Sequence, residues 1–320
     1  MNFAESNNIL PISQFGFRKG RSTESAAAIL HQIVSENIRQ KKRVYACYID
    51  FKKCFDKIDR AALYKKLQVI GVPFQICEIL HDIYSGLSSQ IRSGNNLYEK
   101  FACEIGLPQG CIFSPIAFIL FVYDLGCCFS HNGFEFGSTF IRFLMYADDL
   151  VILCKSADEL QNAIEELSIY CKQNHLNINQ KKSKIMIFGK GKVPKHKEFT
   201  IDGQELEEVI SYNYLGFKFS PQLAFTDHLN MLNKKARARI GVLFNRLPLK
   251  NLPLEMLQRI FEIYVIPIYR YGSAIWSSKC SKKSLQDADT SQLKYLKRYL
   301  GVPSRCNNAI TFFLTQCEPL

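Results

Sequence analysis

Apolar residues in this chain change their spacing several times, and each change predicts an element. Across residues 22–42, Ile29, Leu30, Ile33, Val34 and Ile38 recur at helical steps, so they define one face of an amphipathic helix. Ser22 can cap it, and Glu24 near its start with Arg39, Lys41 and Lys42 at its end complement the helix dipole. Residues 44–49 form instead an unbroken apolar run, which reads as a short buried strand ending at Asp50. Asp59 then caps a helix carrying Leu63, Leu67 and Ile70 and closed by Gly71 and Pro73, and a second helix runs from Phe74 to Gly86. Residues 88–105 read as a hairpin around Gly94, Asn95 and Asn96. Ser114 is expected to cap a helix that starts at Pro115 and is apolar on every side through Tyr123, so it must be buried.

Two short apolar runs follow, residues 143–145 and 150–153, with a tight turn between them. Ser156 and Glu159 form a capping-box pattern ahead of Leu160, Ile164, Leu167 and Cys171. Strands are expected at 185–188, 199–201 and 209–219. From Thr226 the pattern becomes helical: Leu229, Leu232, Ala236, Ile240, Leu243 and Leu247 share one face, and Lys234, Lys235, Arg237 and Arg239 another. Pro253 opens a further helix, Pro267 interrupts it, and residues 293–300 carry Lys294, Lys297 and Arg298. Helices and strands alternate irregularly, which is the mark of an α+β fold and not of a repeated βαβ array.

The turn between the two apolar runs is Tyr146-Ala147-Asp148-Asp149. Two ionised carboxylates held ~4 Å apart repel by about 4 kcal/mol at an effective dielectric near 20, so converging them is favourable mainly around a cation. Asp is also an ordinary turn residue, and the pair alone decides nothing. Asp50, at the end of the buried strand, offers a third carboxylate. Asp50, Asp148 and Asp149 are hard oxygen donors from two segments, leaving coordination positions for water and phosphate, which suits two Mg²⁺ ions, with Mn²⁺ able to replace them. Paired ions of that kind clamp the attacking and leaving oxygens of an in-line phosphoryl displacement. The chemistry expected is nucleotidyl transfer.

Composition agrees. With 320 residues, 47% of them hydrophobic, the chain can build a large core and an appended helical part. A formal charge of +12 favours a polyanionic partner. Twelve cysteines without a secretory leader or Cys-x-x-Cys pair suit reduced thiols in a cytosolic or nuclear setting, and they read mainly as core, Cys127 and Cys128 included. The longest apolar stretch, 116–123, is too short to span a bilayer.

Other strings bear on substrate. Gly106-Leu107-Pro108-Gln109-Gly110 combines a stiff Pro with flanking glycines, and Gln109 suits contact with the base or sugar of a nucleotide, although such strings also mark plain turns. The glycine-rich, basic segment from Gln14 to Ser22 precedes a helix N-terminus, a setting that grips phosphates or a simple solvated lead-in. Seven lysines and no acid lie between Lys181 and Lys197, which fits a nucleic-acid backbone or a solvated run. Tyr212, Tyr214 and Phe217 around Gly216 are stacking surfaces or strand core.

In this order, these segments resemble the reverse transcriptases of non-LTR (LINE-type) retrotransposons, from about Gln14 to the C-terminus. The resemblance implies a right-hand polymerase: partial fingers at 1–42, a palm with an antiparallel sheet and embedded fingers elements at 43–221, and a helical thumb at 222–320. It implies that Asp50, Asp148 and Asp149 bind the metal ions, and that Lys182, in Asn179-Gln180-Lys181-Lys182, is a general acid for the pyrophosphate. Phe51, Phe55, Gln109, Gly110 and Arg18 are implied in nucleotide binding, with Phe55 as the gate against the ribose 2′-hydroxyl. Tyr214, Leu215 and Gly216 correspond to the primer grip. The partners implied are an RNA template, a DNA primer and dNTPs, in the nucleus or cytoplasm. Two departures stand out: Cys54 occupies a position where the family usually has a small residue such as Ala, and the family's earlier basic fingers motif is not expected within the thirteen residues ahead of Gln14. A non-catalytic, nucleic-acid-binding remnant therefore stays open as the alternative.

Overall fold

The computed structural model describes residues 1–191, 196, 198–249, 252–280 and 282–315. Of the expected lysine-rich segment, Lys192, Lys195 and Lys197 lie outside the described residues. The chain divides into two compact units, Met1–Ile210 and Ser211–Leu320.

The first unit runs α1 (Asn2–Ser6), α2 (Thr23–Arg39), β1 (Val44–Ile49), α3 (Arg60–Val69), α4 (Phe74–Ser85), β2 (Ser88–Ser93), β3 (Asn96–Ala102), α5 (Ser114–Phe121), β4 (Phe134–Phe136), β5 (Thr139–Ile141), β6 (Phe143–Tyr146), β7 (Asp149–Cys154), α6 (Ala157–Gln173), β8 (Lys184–Phe188), β9 (Thr200–Ile201) and β10 (Gln204–Glu205). Its main sheet has the order β6-β7-β1-β8, antiparallel throughout. β1 is central and buried at all six positions, which is why its sequence is a continuous apolar run and not an alternation. Tyr45, Cys47 and Ile49 share one core with Met145, Leu150, Ile152, Ile185 and Ile187 of neighbouring strands, Leu63 and Leu67 of α3, Phe118 and Phe121 of α5, and Leu160, Ile164 and Leu167 of α6.

Local signals explain the helix starts. The Ser22 hydroxyl accepts the Ser25 N–H and the Ser25 hydroxyl accepts the Ser22 N–H, a reciprocal cap for α2. Asp59 caps α3 through the Ala62 N–H at 3.1 Å, and Ser156 caps α6 through the Glu159 N–H at 3.1 Å. Ser114 differs from expectation. It is the first residue of α5 and not its cap, and its hydroxyl donates to the Pro108 carbonyl at 2.7 Å, tying the buried helix to the Gly106–Gly110 loop. The β2–β3 hairpin forms where expected, yet every one of its residues is exposed. Cys47, Cys54, Cys77, Cys154 and Cys171 are buried, but Cys127 is exposed, because the short 3-10 turn over Leu125–Cys128 points Leu125 inward instead. All described cysteines are free thiols.

The second unit runs β11 (Tyr212–Tyr214), β12 (Phe217–Phe219), α7 (Thr226–Arg246), α8 (Leu254–Tyr264), α9 (Ile266–Arg270), α10 (Ser273–Trp276), α11 (Lys282–Leu300) and α12 (Asn308–Thr315). The strand pair 212–219, assigned by the resemblance to the palm, thus groups with the helices. α7 buries Leu229, Leu232, Ala236, Ile240 and Leu243 and exposes Lys234, Lys235, Arg237 and Arg239. Lys297 does not join a basic surface. It is buried, and its ammonium donates to the Ser304 and Cys306 carbonyls and to Asn308 Oδ1, three neutral acceptors that hold the turn after α11. No described helix is long and apolar enough to cross a membrane.

Candidate active site

The acidic residues meet at one end of the main sheet. β6 and β7 pair Tyr146 with Asp149, leaving Ala147 and Asp148 as the two central residues of the turn. β1 pairs Ile49 with Leu150, so the next step of the same register sets Asp50 beside Asp149. Asp149 is exposed as a residue, yet protein around its carboxyl removes enough water to push its pKa up to about 6, and the charges of Asp148 and Asp50 add to the rise. The Asp50 and Asp148 carboxylates are thus close enough to oppose the ionisation of Asp149. Among the described residues no group of three or more His, Cys, Asp or Glu side chains forms a metal-holding cluster by itself.

Two of the acids, Asp50 and Asp148, have a neighbour that fixes them. Asn179 Nδ2 donates to Asp50 Oδ2, and Cys54 Sγ donates to Asp148 Oδ2 at 3.4 Å. Burial, followed by the Asp148 charge, pushes the Cys54 thiol well above its usual range, so it stays protonated and serves as the donor. Ala147 has φ 56, a left-handed backbone where hairpin turns ordinarily carry Gly, Asn or Asp. Asn179 and Gln14 enter the sequence reading only as the first residues of longer strings and Ser183 not at all; none carries a sign in the sequence of what it touches.

The nucleotide-side residues form a second layer. Phe55 is half-buried and stacks on Phe118 with ring centroids 4.6 Å apart, which fixes its ring beside the Asp50 loop. The Gly106–Gly110 loop docks on that loop: the Gly106 N–H bonds the Ile58 carbonyl at 2.8 Å and the Leu107 N–H the Phe55 carbonyl at 2.7 Å. A Cβ at Gly106 would lie 2.5 Å from the Asp56 carbonyl oxygen, so only glycine permits this approach. Gln109 is exposed, and its Nε2 donates to Asp56 Oδ1 at 3.1 Å, which turns its own carbonyl oxygen away from Asp56. Gly110 continues the turn at φ 88. A pocket opens here between Asp56, Arg60, Ser88, Ser89, Pro108 and Gln109.

Two of the expected residues, Phe51 and Arg18, sit differently. Phe51 is buried and bridges Ile178 in a strand-like pair, so its side chain is core. The Arg18 guanidinium is occupied by Glu5 and by the Pro11 and Gln14 carbonyls, which leaves it a structural clamp of the lead-in segment and not a free phosphate ligand. Lys182 is exposed after the turn that Asn179 begins. In the second unit, Leu215 at φ 47 and Gly216 at φ 86 form a tight two-residue turn between Tyr214 and Phe217. Tyr214 and Phe217 are buried, and Tyr271 Oη donates to the Leu215 carbonyl at 2.7 Å. Those aromatics are therefore core, and the turn itself is what faces outward.

An antiparallel sheet with acids converging at the end of neighbouring strands, flanked by helices on the core side, defines a right-hand polymerase palm within an α+β fold. The chain belongs to the reverse transcriptase (RNA-dependent DNA polymerase) family, whose model matches residues 2–219. It is similar to the probable RNA-directed DNA polymerase from transposon BS of Drosophila melanogaster, at 27% identity over 84% of this chain and 30% of that protein. It is likewise similar to the RNA-directed DNA polymerase from mobile element jockey of Drosophila funebris, at 25% identity over 93% of this chain and 33% of that one. The Pol polyprotein of retrotransposable element R2DM of Drosophila melanogaster matches at 25% over 91% of this chain and 27% of its own length. These relatives come from non-LTR elements, in agreement with the motifs, and the chain spans about a third of their length or less. Among solved structures, telomerase from Candida albicans in complex with a TWJ fragment of telomeric RNA aligns with a TM-score of 0.52 at 12% identity, over 99% of this chain and 56% of that one. Apo telomerase from Candida tropicalis aligns with a TM-score of 0.51 at 13% identity, over 99% and 56%. These likenesses show the fold.

Proposed function

We propose that this chain is an RNA-directed DNA polymerase that extends a DNA primer on an RNA template, with residues 1–42 as partial fingers, 43–221 as palm, its last strand pair grouped with the second unit, and 222–320 as thumb. The observation that carries the reading is the meeting of Asp50 with Asp148 and Asp149, close enough that Asp149 resists ionisation. Such mutual repulsion is relieved by cations, and the hard oxygen donors fit Mg²⁺ or Mn²⁺ with water and nucleotide phosphates filling the remaining positions. Bound there, two divalent ions supply neutralisation of the triphosphate and activation of the primer 3′-hydroxyl.

The chain's own residues then position and discriminate. Asn179 orients the Asp50 carboxylate, and Cys54 orients that of Asp148. Phe55, locked by Phe118, crowds the space where a ribose 2′-hydroxyl would sit, and Gln109, turned by Asp56, offers its carbonyl oxygen to the incoming nucleotide. Lys182 supplies a proton to the leaving pyrophosphate. The Tyr214–Gly216 turn contacts the primer, and the basic side of α7 contacts the phosphates of the template–primer duplex. The relatives' names as RNA-directed DNA polymerases and the RNA-bound telomerase support the choice of partners.

Primer extension on an RNA template with dNTPs and Mg²⁺ tests the proposal. The parent extends the primer, and Asp148→Asn abolishes extension while duplex binding changes little. Equal extension by the two proteins overturns it, as does a parent that only binds nucleic acid.

A further inference from the structure

We infer that Gln14 is a positioning residue of the acidic turn: its side-chain oxygen holds Ala147 in the left-handed conformation from which Asp148 and Asp149 project. Gln14 is buried, and its Oε1 accepts the N–H of Ala147 at 3.2 Å and that of Gly16 at 2.8 Å. Both partners are donors, so the amide can present only its oxygen to them. Its Nε2, also buried, has no hydrogen-bond partner among the described residues, so the acceptor alone joins Gln14 to the turn.

The backbone around Gln14 is built to deliver that oxygen. Gln14 bridges Met145 in parallel: the Met145 N–H donates to the Ser13 carbonyl at 2.8 Å and the Phe15 N–H to the Met145 carbonyl at 2.7 Å. A Cβ at Gly16 would lie 2.3 Å from the Ala147 nitrogen, so the segment lies directly against the turn and tolerates no side chain there. From behind, Arg18 and Arg21 donate to the Gln14 carbonyl at 3.2 and 3.0 Å, and Arg18 is itself held by Glu5. An alanine at φ 56 persists only where its surroundings over-determine it, and Gln14 with Gly16 are those surroundings. Released, the turn relaxes toward ordinary backbone, and Asp148 and Asp149 lose their registration with Asp50. Gln14 touches no reacting atom; it acts through Ala147.

The effect on rate rests on the polymerase reading above, but the brace itself does not, and the test separates them. Gln14→Met keeps bulk and removes the acceptor, whereas Gln14→Glu keeps an oxygen toward both N–H groups. Amide hydrogen exchange at Ala147 in the full chain is expected to rise about tenfold or more in the Met variant and to stay near the parent's in the Glu variant. In primer extension, kcat of the Met variant should fall about tenfold with primer–template affinity within about twofold of the parent's. Unchanged Ala147 exchange in Gln14→Met overturns the inference even if activity is lost. Should the Met variant not fold, Gln14→Glu decides, because a folded Glu variant with an unprotected Ala147 N–H also overturns it. A parent without extension defeats the polymerase reading and leaves exchange to judge the brace.

Discussion

Asn179 grips Asp50 twice: its side-chain N–H donates to Oδ2 at 2.9 Å and its backbone N–H to the Asp50 carbonyl at 2.7 Å. Ser183, fully buried, closes the grip by accepting the Asp50 N–H on its hydroxyl at 3.1 Å. The carboxylate therefore has one orientation, set by the strand's C-terminal neighbours and not by solvent. Asn179→Ala removes a charge-assisted hydrogen bond and frees the carboxylate to rotate. Single-nucleotide extension should slow by about tenfold or more, equivalent to ~1.4 kcal/mol of transition-state stabilisation. Primer–template affinity should be unaffected; an equal loss of both would make Asn179 a binding residue instead.

Arg60 is buried without a carboxylate partner among the described residues, and its guanidinium donates to four carbonyls: Gly106 and Tyr84 at 2.8 Å, Cys103 at 2.7 Å and Ile105 at 3.3 Å. It also lies over the Tyr84 ring, 5.4 Å from its centroid. One side chain thus pins the end of α4, the end of the β2–β3 hairpin and the start of the Gly106–Gly110 loop. Arg60→Met leaves several buried carbonyls unmet, and chemical denaturation should report a loss on the order of 3 kcal/mol. Arg60→Lys should recover little of it, since an ammonium has three donors and no planar fork. A weaker hold on the loop should also raise KM for dNTP.

In the second unit, His228 Nδ1 accepts the Lys218 N–H at 3.2 Å while its ring lies among Phe217, Phe225 and Trp276. Burial, reinforced by the Lys235 charge, pushes its pKa down to about 4. Above the ordinary histidine value near pH 6.5 both folded and unfolded chains hold it neutral, and it gives no pH dependence. As pH falls from there toward 4, the unfolded chain takes up the proton and the folded one does not, so stability falls, by up to about 3 kcal/mol. Asp149, with its pKa raised to about 6, contributes in the opposite sense over the same range, so the comparison of parent with His228→Leu isolates the histidine: in thermal melts between pH 7 and pH 4 the parent should lose more stability than the Leu variant. Parallel curves for the two proteins refute the assignment.

Much of the palm was legible because its helices and strands are periodic or continuously apolar: β1, α5, α6 and the caps at Ser22, Asp59 and Ser156 all leave local signals. Asp50 and the Asp148-Asp149 pair were legible as chemistry, since carboxylates at strand ends and turns have few structural reasons to converge. What stayed hidden is long-range. Arg18 reads as a phosphate ligand until Glu5 is seen beside it, Lys297 as surface charge until its three acceptors are seen, and Phe51 as a pocket residue until it is buried. Gln14, Asn179 and Arg60 act through hydrogen bonds to groups far away in the chain, and such bonds leave no periodicity. Ala147 carried no warning at all, because alanine is compatible with nearly any local reading.

Gln14 and Ala147 are separated by 133 positions along the chain. During synthesis the lead-in segment emerges long before β6 exists, and at ribosomal rates of about 5 to 20 residues per second that interval is roughly 7 to 27 seconds. For that time Phe15, buried in the finished protein, lacks the Met145 carbonyl its N–H bonds. The acidic turn consequently cannot be braced until nearly half of the chain has been made, and the waiting segment is a natural client for chaperones that hold extended apolar peptides.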